Sequence, residues 1–338
     1  MAVWTEFQPL KSVVLGRLFP TEELLSNINL SGIYANAFRN INDTAIEELD
    51  KIEHLLVSLG VEVKRPAIYH MRQPCGLATP PIAMRDTFMI YGDKVIEANE
   101  AFENHQMRID GSRNLYSHLQ IESIPHHNTW ANVQLNEFNS DNLSRPYLHT
   151  ANVLRCGKDL FISNSVRITG NRLGLNYLEN LIQKLYPQTR IHWVDAEEHL
   201  DGYIFMIRPG LALSTIERNR LPDFFGNWDI LTVTENDRNA AYKKTLAYKW
   251  KKLHPLVAHE YSTFLTNCTE ETFFTINALS VDENTVIFPG YDSTLFRKLE
   301  KMKVTCIPVD MRATSFWDSG LHCCTNELQR LGDLEDYS

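Results

Sequence analysis

The sequence predicts an α/β fold in which a small strand-and-helix module recurs around a ring. Three observations carry that expectation. Four places show two apolar runs joined by a tight polar turn, the pattern of a β-hairpin. They are Thr87–Ala98 around Gly92-Asp93-Lys94, Val153–Ser163 around Gly157-Lys158-Asp159, Tyr203–Ser214 around Arg208-Pro209-Gly210, and Thr275–Pro289 around Asp282-Glu283-Asn284. After three of these hairpins comes a helical or mixed stretch and then a short strand, at Ile191–Val194, Asp229–Val233 and Val304–Val309. The unit returns roughly every 60 residues, just above the periods that mark solenoids and propellers. Finally, the two ends of the chain can supply one further unit between them, which closes a ring of about five modules and removes its sheet edges.

Taken in order, Ser12–Gly16 is a β-branched run ending at a glycine and reads as a strand. Leu18–Asn40 is irregular and rich in asparagine, and reads as a long loop. Asp43–Leu59 has Ile46, Leu49, Ile52, Leu55, Leu56 and Leu59 at helical spacing, with Asp43 or Thr44 to cap it and Gly60 to end it. Val61–Val63 resumes as a strand. Leu175–Tyr186 is the clearest later helix, with Leu178, Leu181, Ile182 and Leu185 on one face. The run Val304–Val309 leads to Gly320-Leu321-His322-Cys323-Cys324-Thr325-Asn326, where a strand over Leu321–Asn326 can pair near the N-terminal strand. Asn99–Pro146 gives no reading of its own. No linker or low-complexity stretch divides the chain, so residues 1–338 are expected to form a single domain.

Composition narrows the function. Of 338 residues, 43% are hydrophobic and 22% charged, ordinary values for a globular protein with a sizeable core. The formal net charge of -9 is spread along the chain, without the basic stripe a nucleic-acid surface needs. No apolar run approaches a membrane span, and Met1–Phe7 lacks a secretory signal pattern. Six cysteines are too few for a disulfide scaffold, and Cys75, Cys156, Cys268 and Cys306 form no metal-type CxxC pair. Cys323 and Cys324 are adjacent and would bridge each other only under strain. A reducing cytoplasm is the expected compartment.

In a ring of such modules, polar residues at the inner ends of strands converge on the axis. Arg85-Asp86 opens the first hairpin, His149 and Asn152 the second, and His199 and Asp201 the third, while Cys323 falls in the closing strand. Singly, each has a plain alternative. Asp86 beside Arg85 can be a surface pair, His199 a solvated histidine, Asp201-Gly202 a turn, and Cys323 an inert core thiol. Jointly, a thiol, a histidine and two carboxylates from different modules suit covalent chemistry on a cation. The thiolate attacks, the histidine moves protons and the carboxylates hold positive charge.

Five stretches in this order resemble one known family. They are Glu6–Gly16, Met84-Arg85-Asp86-Thr87-Phe88 followed by Gly92 and Ile96-Glu97-Ala98, Ala151–Arg155 with Lys158-Asp159-Leu160, His199-Leu200-Asp201-Gly202, and Gly320-Leu321-His322-Cys323. The family is the amidinotransferases, of the arginine:glycine and inosamine-phosphate kind, in the guanidine-modifying superfamily. The resemblance implies a five-bladed α/β-propeller (pentein) built of pseudo-fivefold ββαβ modules. It also implies that Cys323 attacks the guanidinium carbon of arginine, that His199 protonates the leaving amine and then deprotonates the acceptor, and that Asp86 and Asp201 hold the guanidinium. Arg218 matches the place where the family grips a substrate carboxylate, and Cys324 lies one position beyond the family's nucleophile. No metal or organic cofactor is implied. The expected partners are small molecules, an arginine donor and an amine acceptor of specialised metabolism, with no nucleic acid and no membrane, and a homodimer as the assembly to test.

Three departures stand out against the family pattern. His149 occupies a place where a carboxylate usually supports the catalytic histidine and touches the guanidinium, which implies a different substrate or arrangement, or weakened activity. The glycine-rich lead into the cysteine motif is reduced to Asp318-Ser319-Gly320, so that Asp318 can supply a nearby carboxylate. Glu270 and Glu271 stand where relatives with amino-acid substrates carry small polar residues; they suit an amine-rich partner, or simply form a solvated acidic loop. The alternatives to transfer are a guanidine hydrolase of the same fold, with water as acceptor, and a catalytically impaired pentein acting as a binding module.

Overall fold

The computed structural model describes the whole chain except residues 1, 29, 31, 69–71, 74–75, 78, 102–104, 125–138, 140–141, 165–168, 197–198, 234–275 and 318. Among the described residues, the strands form five three-stranded sheets and one two-stranded ladder. The first sheet joins the two ends of the chain, with β1 (Leu10–Leu15) between β17 (Thr325–Arg330) and β2 (Glu62–Lys64). The small ladder is β3 (Arg72–Gln73) and β4 (Gly76–Leu77). Then come β5–β7 (Phe88–Tyr91, Lys94–Glu97, Gln120–Ser123) and β8–β10 (Val153–Cys156, Asp159–Ser163, Arg190–Val194). They are followed by β11–β13 (Ile204–Arg208, Leu211–Ser214, Asp229–Thr232) and β14–β16 (Leu279–Asp282, Thr285–Pro289, Thr305–Val309).

Every three-stranded sheet has the same plan. A middle strand pairs antiparallel with one neighbour and parallel with the other. The antiparallel partners, β17, β5, β8, β11 and β14, are almost wholly buried, whereas the parallel partners are half-buried to exposed. Burial thus falls from one strand to the next, as expected for blades set around an axis. Three hairpins turn on glycines with positive φ, Gly92, Gly157 and Gly210, a backbone state that glycine adopts without strain. This is the α/β pentein propeller expected from the motifs.

Three expectations need correction. Leu18–Asn40 is helical, not a loop: helices span Thr21–Asn27 and Gly32–Ser58. The buried face of the longer helix includes Asn42 and Glu48, which interrupt its apolar period. Both find tertiary partners: Asn42 Nδ2 donates to Phe19 O and Thr21 Oγ1, and Glu48 accepts from the Ala313 and Thr314 amides. The unread stretch after Asn99 holds a helix, Gln106–Tyr116, and β7, which complete a module. That helix buries Arg108, Ser112 and Tyr116 beside Ile109, so its inward face is too polar to show as a hydrophobic stripe. The closing strand begins at Thr325, and Leu321–Cys324 form the turn before it, so Cys323 lies ahead of the strand rather than within it. Pairing of Val14 with Asn326 and of Leu15 with Thr325 sets this register. In the module carrying β11–β13, two short 3₁₀ turns, Arg218–Arg220 and Asp223–Asn227, replace the helix.

Ionic groups fill the centre. Glu6 accepts from Arg155 Nε at 2.7 Å, and Glu327 accepts from Arg85 Nη1 at 2.6 Å, Arg155 Nη2 at 2.5 Å and Arg330 Nη2 at 3.0 Å. All five side chains are buried. Among the described residues, no helix is long and apolar enough to cross a membrane.

Candidate active site

Three hairpins are entered through a short 3₁₀ turn: Met84–Asp86 before β5, Thr150–Asn152 before β8 and Leu200–Gly202 before β11. These turns hold functional side chains at the buried strand ends. They are laced together, since Thr150 Oγ1 donates to Arg85 O at 2.7 Å and the Arg85 amide donates to Cys323 O at 3.0 Å. Asn152 spends its side chain inside this frame, donating to His149 O and Thr169 O and accepting from Thr169 Oγ1. Arg85 points into the ionic centre, so Arg85-Asp86 is not a surface pair.

Cys323 is 9% exposed, at the edge of the core. Its thiol lies 3.4 Å from Asp201 Oδ2 and accepts a hydrogen bond from Asn277 Nδ2 at 3.0 Å. Asn277 Oδ1 accepts the Cys323 amide at 3.0 Å, so one carboxamide grips both the backbone and the sulfur. Gly320 is needed beside it, because a Cβ there would stand 2.3 Å from Asn277 Oδ1. Asp201 Oδ2 also meets His322 Nδ1 at 2.8 Å, and His322 Nε2 lies 3.3 Å from Glu6 Oε2. Burial would raise the Asp201 pKa, but the bond and charge of His322 outweigh it and hold the carboxyl below its usual value. Burial and Arg85 would lower the His322 pKa, but Asp201 and Glu6 override them and raise it. Neighbouring Cys324 is fully buried and its thiol pKa is pushed up to about 12 by burial, which suits an inert thiol.

Asp86, His149 and His199 form the other half. His149 Nδ1 and His199 Nε2 are 3.0 Å apart, and Asp86 Oδ1 lies 3.7 Å from His199 Nε2. Arg108 Nη1 donates to Asp86 Oδ2 at 2.8 Å, while its Nη2 donates to Glu100 Oε1 at 2.7 Å. Behind His149, Nε2 meets Tyr147 Oη at 2.9 Å and faces Glu100 Oε2 at 3.4 Å. Two carboxylate oxygens complete the picture. Asp86 Oδ1 and Asp201 Oδ1 are buried and, among the described residues, have no hydrogen-bond partner. Buried acceptors of this kind call for donors.

Cys323, Asp201, Asp86, His149 and His199 therefore lie on turns that the fold brings together. Arg218 is exposed and donates to Gly226 O at 2.8 Å, with no bond to this cluster among those described. Glu271 and Asp318 lie outside the described residues. Asn277, His322, Glu100, Arg108 and Tyr147 are polar members that motif reading missed. His322, next to Cys323, was the one with a signal in plain sight; the others announce themselves only through contacts made across the fold.

Two trios could be asked to hold a metal ion. Asp86, His149 and His199 bring ligand atoms within 4.8 Å of one another, as do Glu6, His322 and Glu327. The second trio already faces Arg85, Arg155 and Arg330. In the first, Arg108 pairs with Asp86 and the two imidazoles contact each other directly, which fits a proton-sharing cluster better than a cation site.

No family model matches the sequence. The chain is 23% identical over 368 residues to inosamine-phosphate amidinotransferase 1 of Streptomyces griseus, covering 98% of this chain and 97% of that protein. It is 22% identical over 327 residues to the L-arginine:L-lysine amidinotransferase of Pseudomonas savastanoi pv. phaseolicola, covering 87% and 81%. Among solved structures, an amidinotransferase of Microseira wollei in the saxitoxin biosynthetic pathway superposes with a TM-score of 0.73 at 20% identity, covering 100% of this chain and 99% of that one. The fold is that of the pentein, or guanidine-modifying, superfamily. Within it, the resemblance read from the motifs is also the one these comparisons return: over nearly its whole length the chain resembles the amidinotransferases.

Proposed function

We propose that the protein is an amidinotransferase that moves the amidino group of L-arginine to a small amine through a covalent intermediate on Cys323, releasing ornithine. The observation that carries this reading is the pair of buried oxygens, Asp86 Oδ1 and Asp201 Oδ1, that accept no hydrogen bond among the described residues, in one cluster with a thiol held by Asn277. A planar cation with several N–H donors suits two such acceptors. The names of the related proteins support amidino transfer, and one of them names L-arginine.

In this reading Asp86 and Asp201 hold the guanidinium and keep its carbon electrophilic. The Cys323 thiolate forms an S–C bond to that carbon, steadied by the Asn277 N–H. The C–N bond to the ornithine nitrogen breaks as His199 supplies that nitrogen with a proton. The acceptor amine then forms a new C–N bond, gives a proton to His199, and the S–C bond breaks to restore the thiolate. Arg218, Glu271 and Asp318 remain candidates for contact with the rest of the substrates. Pairing of β17 with β1 supports a single domain over 1–338, and the free thiols of Cys156, Cys306 and Cys324 suit a reducing cytoplasm.

The test is incubation with labelled arginine, with and without candidate amines. Ornithine that appears only with an amine, together with one amidino group of added mass on Cys323, supports transfer. Ornithine with urea, or citrulline with ammonia, formed without an amine assigns hydrolysis instead. An unmodified Cys323 after arginine treatment, or turnover that survives Cys323→Ala, sinks the covalent reading.

A further inference from the structure

The two imidazoles at the site are in direct nitrogen contact, and what lies behind them is a buried carboxylate. His149 Nδ1 and His199 Nε2 are 3.0 Å apart, so one nitrogen donates and the other accepts, with one proton between them. A second proton in that contact would set two N–H donors against each other. On the far side of His149, Nε2 faces Tyr147 Oη at 2.9 Å and Glu100 Oε2 at 3.4 Å. Arg108 takes Glu100 Oε1 with Nε at 3.1 Å and Nη2 at 2.7 Å, which leaves Oε2 towards His149 and towards His105 Nδ1 at 3.6 Å.

The charges around the pair bear on where its proton rests. Asp86 and Glu100 are anions, and Arg108 is one cation between them. Arg145 is a second buried cation beside Glu100; among the described residues it donates to the backbone oxygen of Glu100 rather than to the carboxylate. Tyr147 stays a phenol, because burial and Glu100 push its pKa well above the usual value. Burial lowers the His105 pKa, which keeps that ring neutral near neutral pH. Burial would raise the Glu100 pKa, but Arg108 and the two histidines hold it well below the usual value, so Glu100 stays charged. The Glu100 oxygen that Arg108 leaves free faces His149, so a positive charge on the His149–His199 pair would have a buried anion beside it.

We propose that Glu100 is the anionic end of a chain, Glu100–His149–His199, that carries the positive charge His199 acquires during amidino transfer. Glu100 and His149 are positioning residues in it. The assignment rests on the transfer reading above for the role of His199. When His199 takes the acceptor's proton on Nδ1, the proton on its Nε2 moves to His149 Nδ1. His149, with its Nε2–H towards Glu100, then becomes the imidazolium, and His199 ends neutral. When His199 protonates the leaving amine from Nδ1, the bridging proton returns to its Nε2. No proton enters or leaves the chain except through the reacting amines.

The test compares wild type with Glu100→Gln and His149→Gln in the full chain. Nitrogen-15 spectra at neutral pH should show one imidazolium in the wild-type pair and two neutral rings in Glu100→Gln. Both variants should lose kcat by about tenfold or more with the arginine KM nearly unchanged, and the pH–rate profile should move to lower pH. The double variant should be no slower than the worse single one, as for residues acting as a unit. Glu100→Gln also strips Arg108 of a partner, so folding is checked by its melting curve. His149→Gln leaves that pair intact and reports on the chain if Glu100→Gln does not fold. A wild-type pair with two neutral rings, or, where Glu100→Gln folds, spectra like the wild type's, overturns the chain. So does a loss of rate in either variant with an unmoved pH profile, since that is what a merely structural role would give. The spectra need no turnover. If the wild type transfers no amidino group, the transfer reading fails while the Glu100–His149 charge assignment is still decided.

Discussion

The carboxamide of Asn277 meets the Cys323 amide and the Cys323 sulfur at 3.0 Å each, and also reaches Asp201 Oδ2 at 3.2 Å. An N–H aimed at a thiolate stabilises it, and removing a donor of that kind from a reacting centre costs about 10²–10³ in rate. Asn277→Ala should therefore lower kcat by about that factor, with slower formation of the Cys323 adduct in single-turnover mass spectrometry. Cys324→Ser should change turnover by less than about tenfold, because the Cys324 thiol donates to Leu321 O in the core. The proposed nucleophile and its two carboxylates were legible in the sequence because each sits in a short local motif. Asn277 was not, since an asparagine before an apolar strand looks like a turn residue until the fold delivers the thiol to it. His322 offers a pH test. It faces Asp201 and Glu6, with Arg85 nearby, and its folded-state pKa is raised above the ordinary imidazole value. Its charge therefore stabilises the fold fully below that value and loses this effect as pH rises through the folded-state pKa. The Tm gap between wild type and His322→Gln should narrow as pH rises through that folded-state pKa.

At the scale of elements, the helix Arg172–Leu185 shows how a scaffold sets the site. Asn171 caps it by accepting from the Gly174 amide at 2.9 Å. The same side chain accepts from the Tyr147 amide at 3.0 Å and donates to Arg145 O at 2.8 Å. Gly174 lies so close that a Cβ would stand 2.2 Å from Tyr147 O. The helix N-terminus thus clamps the segment that carries Tyr147 and His149. Asn171→Ala should cost about 1 kcal/mol of stability from the lost cap, and more if the Tyr147 segment shifts. Urea denaturation gives the first term, and a fall in kcat beyond the folded fraction gives the second. This helix was legible because Leu175, Leu178, Leu181 and Ile182 keep a clean buried face. Gly32–Ser58 was legible only in its second half, and Gln106–Tyr116 not at all. Their buried faces carry Asn42, Glu48, Arg108 and Ser112, whose burial is offset by partners that no local pattern reveals.

Over the whole molecule, the ring of hairpins was legible because turn glycines and apolar runs are local, but the charges that close it were not. Glu327 on β17 binds Arg85 from the turn before β5, Arg155 from β8, and Arg330, while Arg155 also holds Glu6 near the N-terminus. Both ends of the chain and two neighbouring blades therefore meet at one carboxylate. Burial would raise the Glu327 pKa, but Arg85, Arg155 and Arg330 override it and hold the group well below the usual value, so it remains an anion. Glu327→Gln keeps the shape and removes the charge, leaving three buried guanidinium groups against Glu6 alone. Breaking a buried ion pair from one side costs about 3–5 kcal/mol, because the uncompensated charge is the larger penalty. A loss of that size should appear in urea denaturation at neutral pH, with the ring unfolding in one transition if the closing strand is integral to it. Arg85 is shared between this centre and the turn that holds Asp86, and its amide binds Cys323 O. Glu327→Gln should therefore also depress adduct formation on Cys323 in molecules that remain folded. A loss of stability with unchanged adduct rate per folded molecule would show instead that the centre supports the ring without setting the site.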